Sequence, residues 1–285
     1  MVLGEKMSVK ELKSIDISSY TIISTGITAL ISILLSVIIV GVVGLIVPNS
    51  FLVMIYIIPT IVFSGIICSV FFGFSEAYLY NALSKKLGCV KLDIEGEYIK
   101  KISTKETALI FGTIMLIVLL VVYLAIAFFI PLILSSLISV LMYASQTAVA
   151  GLVYQAMILV SNTTTIVLGI TGFVIIGTVF VLLATYIYNI LASSDRGITV
   201  KLENIGELTQ LESINPLNFG IAIATISLIL NIIVGLIMII SGSPAFSALS
   251  NILGGYVSGF IGAVLIAIFY NFLSPKLGKL KVELE

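Results

Sequence analysis

The chain has no histidine, no tryptophan, one arginine and two cysteines in 285 residues. Without histidine and with a single arginine, haem ligation, metal-assisted hydrolysis and charge-relay catalysis lack their usual parts. No Gly-Lys-Ser/Thr phosphate loop is present, so nucleotide hydrolysis is not expected. No basic patch offers a footing for nucleic acid. Cys68 lies in an apolar run and Cys89 in a charged segment, which argues against a disulfide. The absence of tryptophan leaves interface anchoring to Tyr and Phe. The sequence therefore points to no catalytic residue, no metal ligand set and no cofactor.

Charge is the next scarcity. Only 10% of residues are Asp, Glu, Lys or Arg, while 60% are hydrophobic; soluble domains carry about 25% charged residues. Residues 17–75, 107–194 and 213–275 hold no charge at all. Each of these stretches is long enough for two spans of roughly 20 residues. The fourteen basic and fourteen acidic residues gather in the N-terminal segment, around 76–106, around 195–212 and in the C-terminal tail. Each silent stretch thus leaves the charged side of a bilayer and returns to it. The positive-inside rule makes that side cytoplasmic, with both termini on it. Residues 1–16 carry several charges and no small-residue cleavage pattern, so no signal peptide is expected.

Three segments align without gaps on a Tyr-Asn pair: YNALSKKLGCVKLDIE from Tyr80-Asn81, YNILASSDRGITVKLE from Tyr188-Asn189, and YNFLSPKLGKLKVELE from Tyr270-Asn271. They end at Glu95, Glu203 and Glu285, and carry Gly88, Gly197 (displaced by one) and Gly278. After the glycine, apolar residues alternate: Val90, Leu92, Ile94; Ile198, Val200, Leu202; Leu280, Val282, Leu284. Period two argues a strand with one covered face. Each copy also has an opening, an apolar residue three before an Ile: Leu12 and Ile15, Ile99 and Ile102, Leu211 and Ile214. Asp16, Ser103 and Asn215 follow as favoured helix N-caps, with Pro216 at a first helical position.

The reading is thus three tandem two-helix repeats, 8–95, 96–203 and 204–285, in one compact domain. The fold class is mainly α and integral to the membrane, with six transmembrane helices near 18–46, 53–82, 104–130, 166–192, 216–240 and 253–274. Glu95-Gly96-Glu97 and Asn204-Ile205-Gly206 read as hairpins between copies. Pairing the first strand with the last would leave no edge exposed and close a small cytoplasmic sheet beneath a six-helix bundle.

Within the spans, Gly65, Ser69 and Gly73 recur four apart on the second helix, as do Gly255, Gly259 and Ala263 in the third copy; the second keeps only Gly177. Small residues at this spacing let helices approach closely, whether inside the chain or between copies of it. The second repeat carries an apolar insert, 131–165, read as two segments, 131–144 and 145–161, either re-entrant or lying at the outer interface. Gln146, Gln155 and Asn162 give it polar atoms needing partners, and Asn162-Thr163-Thr164 is a glycosylation sequon on the expected outer side.

Two intramembrane polar residues are the functional candidates. Glu76 lies one turn before Tyr80; as a carboxylate in a span it serves the interface or a neighbouring backbone, or coordinates an ion or proton. Asn231 in the fifth span suits an interhelical hydrogen bond. For the Tyr-Asn pairs the expectation is architectural: Tyr at the headgroup level and Asn closing a helix.

The opening at Ile15-Asp16 and Ile214-Asn215-Pro216, the membrane hairpin, and the close from Tyr270-Asn271 to Glu285 resemble the small two-helix transmembrane domain of unknown function described from actinobacteria. Members usually carry one copy; here the resemblance extends over nearly the whole chain three times, with the second copy departing most. The family has no established catalytic residues to carry over. The function expected is a non-enzymatic membrane scaffold or accessory subunit presenting a cytoplasmic β-surface to a membrane or cytoplasmic protein partner. The alternative is a pore or carrier for an ion or small solute formed by the three hairpins. The partners expected are the lipid bilayer and such a protein, not nucleic acid.

Overall fold

The computed structural model describes residues 8–46, 51–194 and 196–285; the first part of the segment examined for a signal peptide, residues 1–7, lies outside them. In chain order the elements are β1 (Ser8–Ile15), α1 (Ile17–Ile46), α2 (Phe51–Leu87), β2 (Val90–Glu95), β3 (Tyr98–Ile102), α3 (Thr104–Tyr143), α4 (Thr147–Ser161), α5 (Thr163–Ser193), β4 (Ile198–Ile205), β5 (Leu208–Ile214), α6 (Pro216–Ile240), α7 (Ala245–Leu277) and β6 (Lys281–Leu284). Among the described residues, six helices are long and apolar enough to cross a membrane. The chain is mainly helical, and these six helices fit a multi-pass membrane protein. It divides into two compact units, one of Met1–Ile110 with Phe180–Glu285 and one of Phe111–Val179.

In the first unit the six strands form one closed antiparallel barrel, in the order β1-β2-β3-β4-β5-β6 and back to β1. Closure removes every strand edge. The last strand does meet the first, with Leu12 opposite Leu284 and Ile15 opposite Val282. The barrel does not divide at the boundaries of the three sequence copies. The hairpins β2–β3 and β4–β5 each join the end of one copy to the start of the next, so the sheet is a single continuous element, not three modules. Gly96 and Gly206 stand first in the two-residue turns with φ of 59° and 64°, as a type II′ turn requires. Register shifts at Leu12/Ser14, Asp93/Ile94 and Lys201/Leu202 mark bulges, which sharpen the twist a small barrel needs. The alternation places Val90, Ile94 and Val200 on the buried face, while Lys91 and Lys201 lie outward.

Each helix pair of this unit packs through small side chains. A Cβ on Gly65 of α2 would stand 2.3 Å from Ser32 Oγ of α1, and one on Gly255 of α7 would stand 2.2 Å from Asn231 Nδ2 of α6. Only glycine lets those backbones come so close, which is how helices associate where lipid removes the hydrophobic drive. Gly73 and Gly259 do the same against Ser24 and Ser227. Two apolar clusters add to this: Ile23 with Tyr270 and Leu273, and Ile187, Tyr188 and Ala192 with Ile226.

The second unit holds the later part of α3, all of α4 and the first part of α5. Here the insert differs from expectation. Residues 131–143 are not a separate segment but the continuation of α3, which runs through Pro131 as one 40-residue helix. Proline removes one backbone donor, a loss that transmembrane helices tolerate. The carbonyl it leaves without an N–H is that of Ala127, four residues earlier, and beyond the proline the Ser135 and Ser136 hydroxyls turn back to donate to the Leu132 carbonyl. The break falls at Ser145, with φ of 58°, and α5 begins at Thr163, three residues before the expected start. Gly177 packs against Met115 and Gly112 against Thr178.

Candidate functional site

The three Tyr-Asn pairs sit where the helices meet the barrel, and each makes the same set of bonds. Tyr80 donates its hydroxyl hydrogen to the Leu12 carbonyl at 2.6 Å and accepts from the Val90 N–H at 3.4 Å. Tyr188 bridges the Ile99 carbonyl and the Ile198 N–H, and Tyr270 bridges the Leu211 carbonyl and the Leu280 N–H. The hydroxyl stands between two strands as a one-atom link in the ladder. The neighbouring Asn amide exchanges two bonds with one backbone residue, as a strand partner would. Asn81 takes the Ile15 N–H at 2.7 Å and gives to its carbonyl at 2.8 Å. Asn189 pairs with Ile102 and Asn271 with Ile214.

This assigns the opening and closing motifs to one device. The apolar residue three before the Ile receives the Tyr; the Ile receives the Asn. The expectation that Asn closes its helix is corrected: α2 runs on to Leu87, α5 to Ser193 and α7 to Leu277, because the amide is committed to the start of the preceding helix. The helix ends are set by glycine instead, at Gly88 with φ of 93° and Gly278 with φ of 102°. Gly197 does a different job. It is not at positive φ; a Cβ there would stand 2.8 Å from the Ile99 carbonyl, so the displaced glycine serves close approach.

The expected N-caps divide as well. Asp16 Oδ1 accepts from the Ser19 N–H at 2.7 Å, and Asn215 Oδ1 accepts from Leu217 and Asn218, each at 3.1 Å. The Ser103 hydroxyl turns away and accepts the Lys91 N–H of β2 at 2.9 Å. The glutamates that end the motifs each face a lysine: Glu95 with Lys100 at 3.7 Å, Glu203 with Lys279 at 3.4 Å and Glu285 with Lys13 at 3.6 Å.

Glu76 accepts a hydrogen bond from the Tyr20 hydroxyl of α1 at 2.7 Å. It lines a groove of ≈ 420 Å³ between α1 and α2, together with Ser24, Thr28, Ser69 and Phe72. Asn231 accepts from the Asn251 amide of α7 at 3.0 Å and donates to the Ser227 carbonyl at 2.8 Å, beside a second groove of ≈ 590 Å³ between α6 and α7. Tyr20 and Asn251 were not singled out from sequence. The first follows from the Tyr-Asn clamp: with Asn81 fixed on Ile15, Tyr20 lies five residues after one anchor and Glu76 five before the other, which brings them level in an antiparallel pair.

On the barrel's outside, the ends of α2 and β6 border a polar cavity of ≈ 960 Å³ that receives Glu11, Lys13, Lys85, Lys91, Glu106 and Glu283. Glu11 forms ion pairs with Lys13 at 2.8 Å and Lys91 at 3.1 Å. The Lys13 bond, then that of Lys91, holds the Glu11 carboxyl below its ordinary value, and Glu11 in turn raises Lys13. Among the described residues no group of three or more His, Cys, Asp or Glu is placed to hold a metal ion.

No protein-family model matches the chain, and neither a curated protein nor a solved structure does.

Proposed function

We propose that this chain is a non-enzymatic cell-membrane protein whose barrel is a cytoplasmic platform for a protein partner, as a scaffold or accessory subunit would provide. One observation carries the reading: the barrel is closed on itself and clamped to three membrane hairpins by three matching Tyr-Asn sets. A closed sheet offers no edge for strand addition, so recognition falls to its charged outer face and the polar cavity beside α2. Orientation rests on the positive-inside rule, since every Lys and Arg lies in the segments that build or flank the barrel. The matching bonds at Tyr80, Tyr188 and Tyr270 support three quasi-equivalent hairpins, and with them the resemblance to the two-helix domain family.

The test is affinity capture from native membranes with the wild type and with a barrel-surface variant, Lys201→Glu with Glu207→Lys. A stoichiometric partner lost in the variant supports a platform. No partner under either condition, with solute flux in proteoliposomes, refutes it. One observation favours a second reading, a pore or carrier: Glu76 places a carboxylate on a span beside a groove. Flux that disappears in Glu76→Gln would establish that alternative.

A further inference from the structure

The groove between α1 and α2 holds an unbalanced charge. Glu76 Oε2 takes the Tyr20 hydroxyl, and Oε1 has no partner among the described residues. No Lys or Arg lines the groove; its polar atoms are the hydroxyls of Ser24, Thr28 and Ser69 and the Cys68 thiol. A carboxylate beside hydrocarbon needs a counter-charge, and the chain supplies none here. The matching positions on the other hairpins are Ala184 and Ile266, so the demand arises once per chain.

Depth and shape narrow what meets that demand. Glu76 lies one helical turn from Tyr80, whose hydroxyl bonds to a barrel strand. The carboxylate is therefore at the level where charged sequence begins. From it the groove follows α2 back to Gly65, eleven residues or about 16 Å at the α-helical rise. Small residues give it depth, and exposed Cys68 and Phe72 form its outer lip. A charged end joined to a long, narrow, laterally open channel is complementary to an amphiphile whose head is positive. An ammonium gives up to three hydrogen bonds, which suits a carboxylate flanked by hydroxyls, and the Phe72 ring offers a cation–π face.

We propose that this groove binds one ammonium-bearing amphiphile, its head on Glu76 and its chain along the open seam between α1 and α2, past Phe72 and Cys68. The ammonium has two sources, an ethanolamine phospholipid of the bilayer or a soluble alkylamine. The site is independent of what docks on the barrel and of whether any solute crosses.

Cys68 is the reporter. The full chain carrying Cys89→Ser, in phosphatidylglycerol nanodiscs, is modified at Cys68 with a membrane-permeant maleimide. Dodecylamine is expected to slow modification at least tenfold at a concentration where uncharged dodecanol has no effect. Glu76→Gln should reduce the protection below twofold, and Glu76→Asp should keep it. Native mass spectrometry from mixed phosphatidylethanolamine and phosphatidylglycerol nanodiscs distinguishes the sources. One ethanolamine lipid kept per wild-type chain and lost in Glu76→Gln identifies the bilayer lipid; protection by dodecylamine without lipid retention identifies a soluble amine. Equal protection by dodecanol, or dodecylamine protection unchanged in Glu76→Gln, overturns the proposal. The amine-against-alcohol comparison needs no variant at residue 76, so a folding defect in Glu76→Gln leaves it decisive.

Discussion

Removing a single oxygen atom at Tyr188 should cost more than its size suggests. The side chain is 3% exposed. Its hydroxyl joins two backbone groups that face each other across β3 and β4, the Ile99 carbonyl and the Ile198 N–H. Tyr188→Phe keeps the ring and its packing but leaves both groups without a partner. An orphaned buried polar group costs about 1–3 kcal/mol. Two of them, partly relieved if the strands draw together, give an expected loss of about 2–4 kcal/mol. The β3–β4 ladder has only two residue pairs, so little else holds that seam. Tyr186→Phe, on the same helix but 58% exposed, is the control and should change stability by less than about 0.5 kcal/mol. Denaturant titration in detergent, followed by circular dichroism, measures both. Similar losses are expected for Tyr80→Phe and Tyr270→Phe. Indistinguishable curves for Tyr188→Phe and Tyr186→Phe would refute the idea that the hydroxyl is a structural link between strands.

Gly65→Val should destabilise the α1–α2 pair by about 1–3 kcal/mol through overpacking against Ser32. Gly254→Ala, facing open space on α7, should be neutral or stabilising by up to about 1 kcal/mol from helix propensity; melting of both variants checks the contrast. A double-mutant cycle of Asn231→Leu with Asn251→Leu should return a coupling of about 0.6 kcal/mol, typical of hydrogen bonds between membrane helices. The folded Glu11 carboxyl lies below its ordinary 4.5, so its contribution to stability is complete above pH 4.5 and is lost as pH falls through the folded value. Melting of wild type should therefore drop more steeply below pH 4.5 than melting of Glu11→Gln. Deleting residues 280–285 removes β6 and opens the barrel on both sides, and melting in detergent should fall sharply; unchanged melting would show that closure contributes nothing.

Much of this arrangement can be read from sequence because hydrocarbon imposes so few options. Charge-free stretches mark the helices, and period-two alternation after Gly88 and Gly278 marks strands. Residues 131–144 read as a separate apolar segment because a span of roughly 20 residues is complete by 130, but α3 continues through Pro131 to Tyr143, a loss of one backbone donor that a membrane helix tolerates. Local propensity marks Asn81 as a helix end, whereas its amide reaches 66 residues back to Ile15. Long-range backbone pairing leaves no periodic trace. Glu76 and Asn231 were visible as polar exceptions in apolar runs. Their partners Tyr20 and Asn251 were not, since hydroxyls and amides are common on spans; only the clamp between Asn81 and Ile15 singles out Tyr20. The cavity beside α2 draws on β1, β2 and β6, which meet only once the barrel closes.

The side of the membrane that the barrel segments occupy is the decisive measurement. Single cysteines at Glu97, Glu207 and Ser243, in a Cys68→Ser, Cys89→Ser background, can be labelled with an impermeant maleimide in sealed vesicles of known orientation. Residues 97 and 207 should label from the same, cytoplasmic side and residue 243 only from the opposite one. Labelling of 97 and 207 from different sides would contradict a barrel assembled at one end of paired crossings.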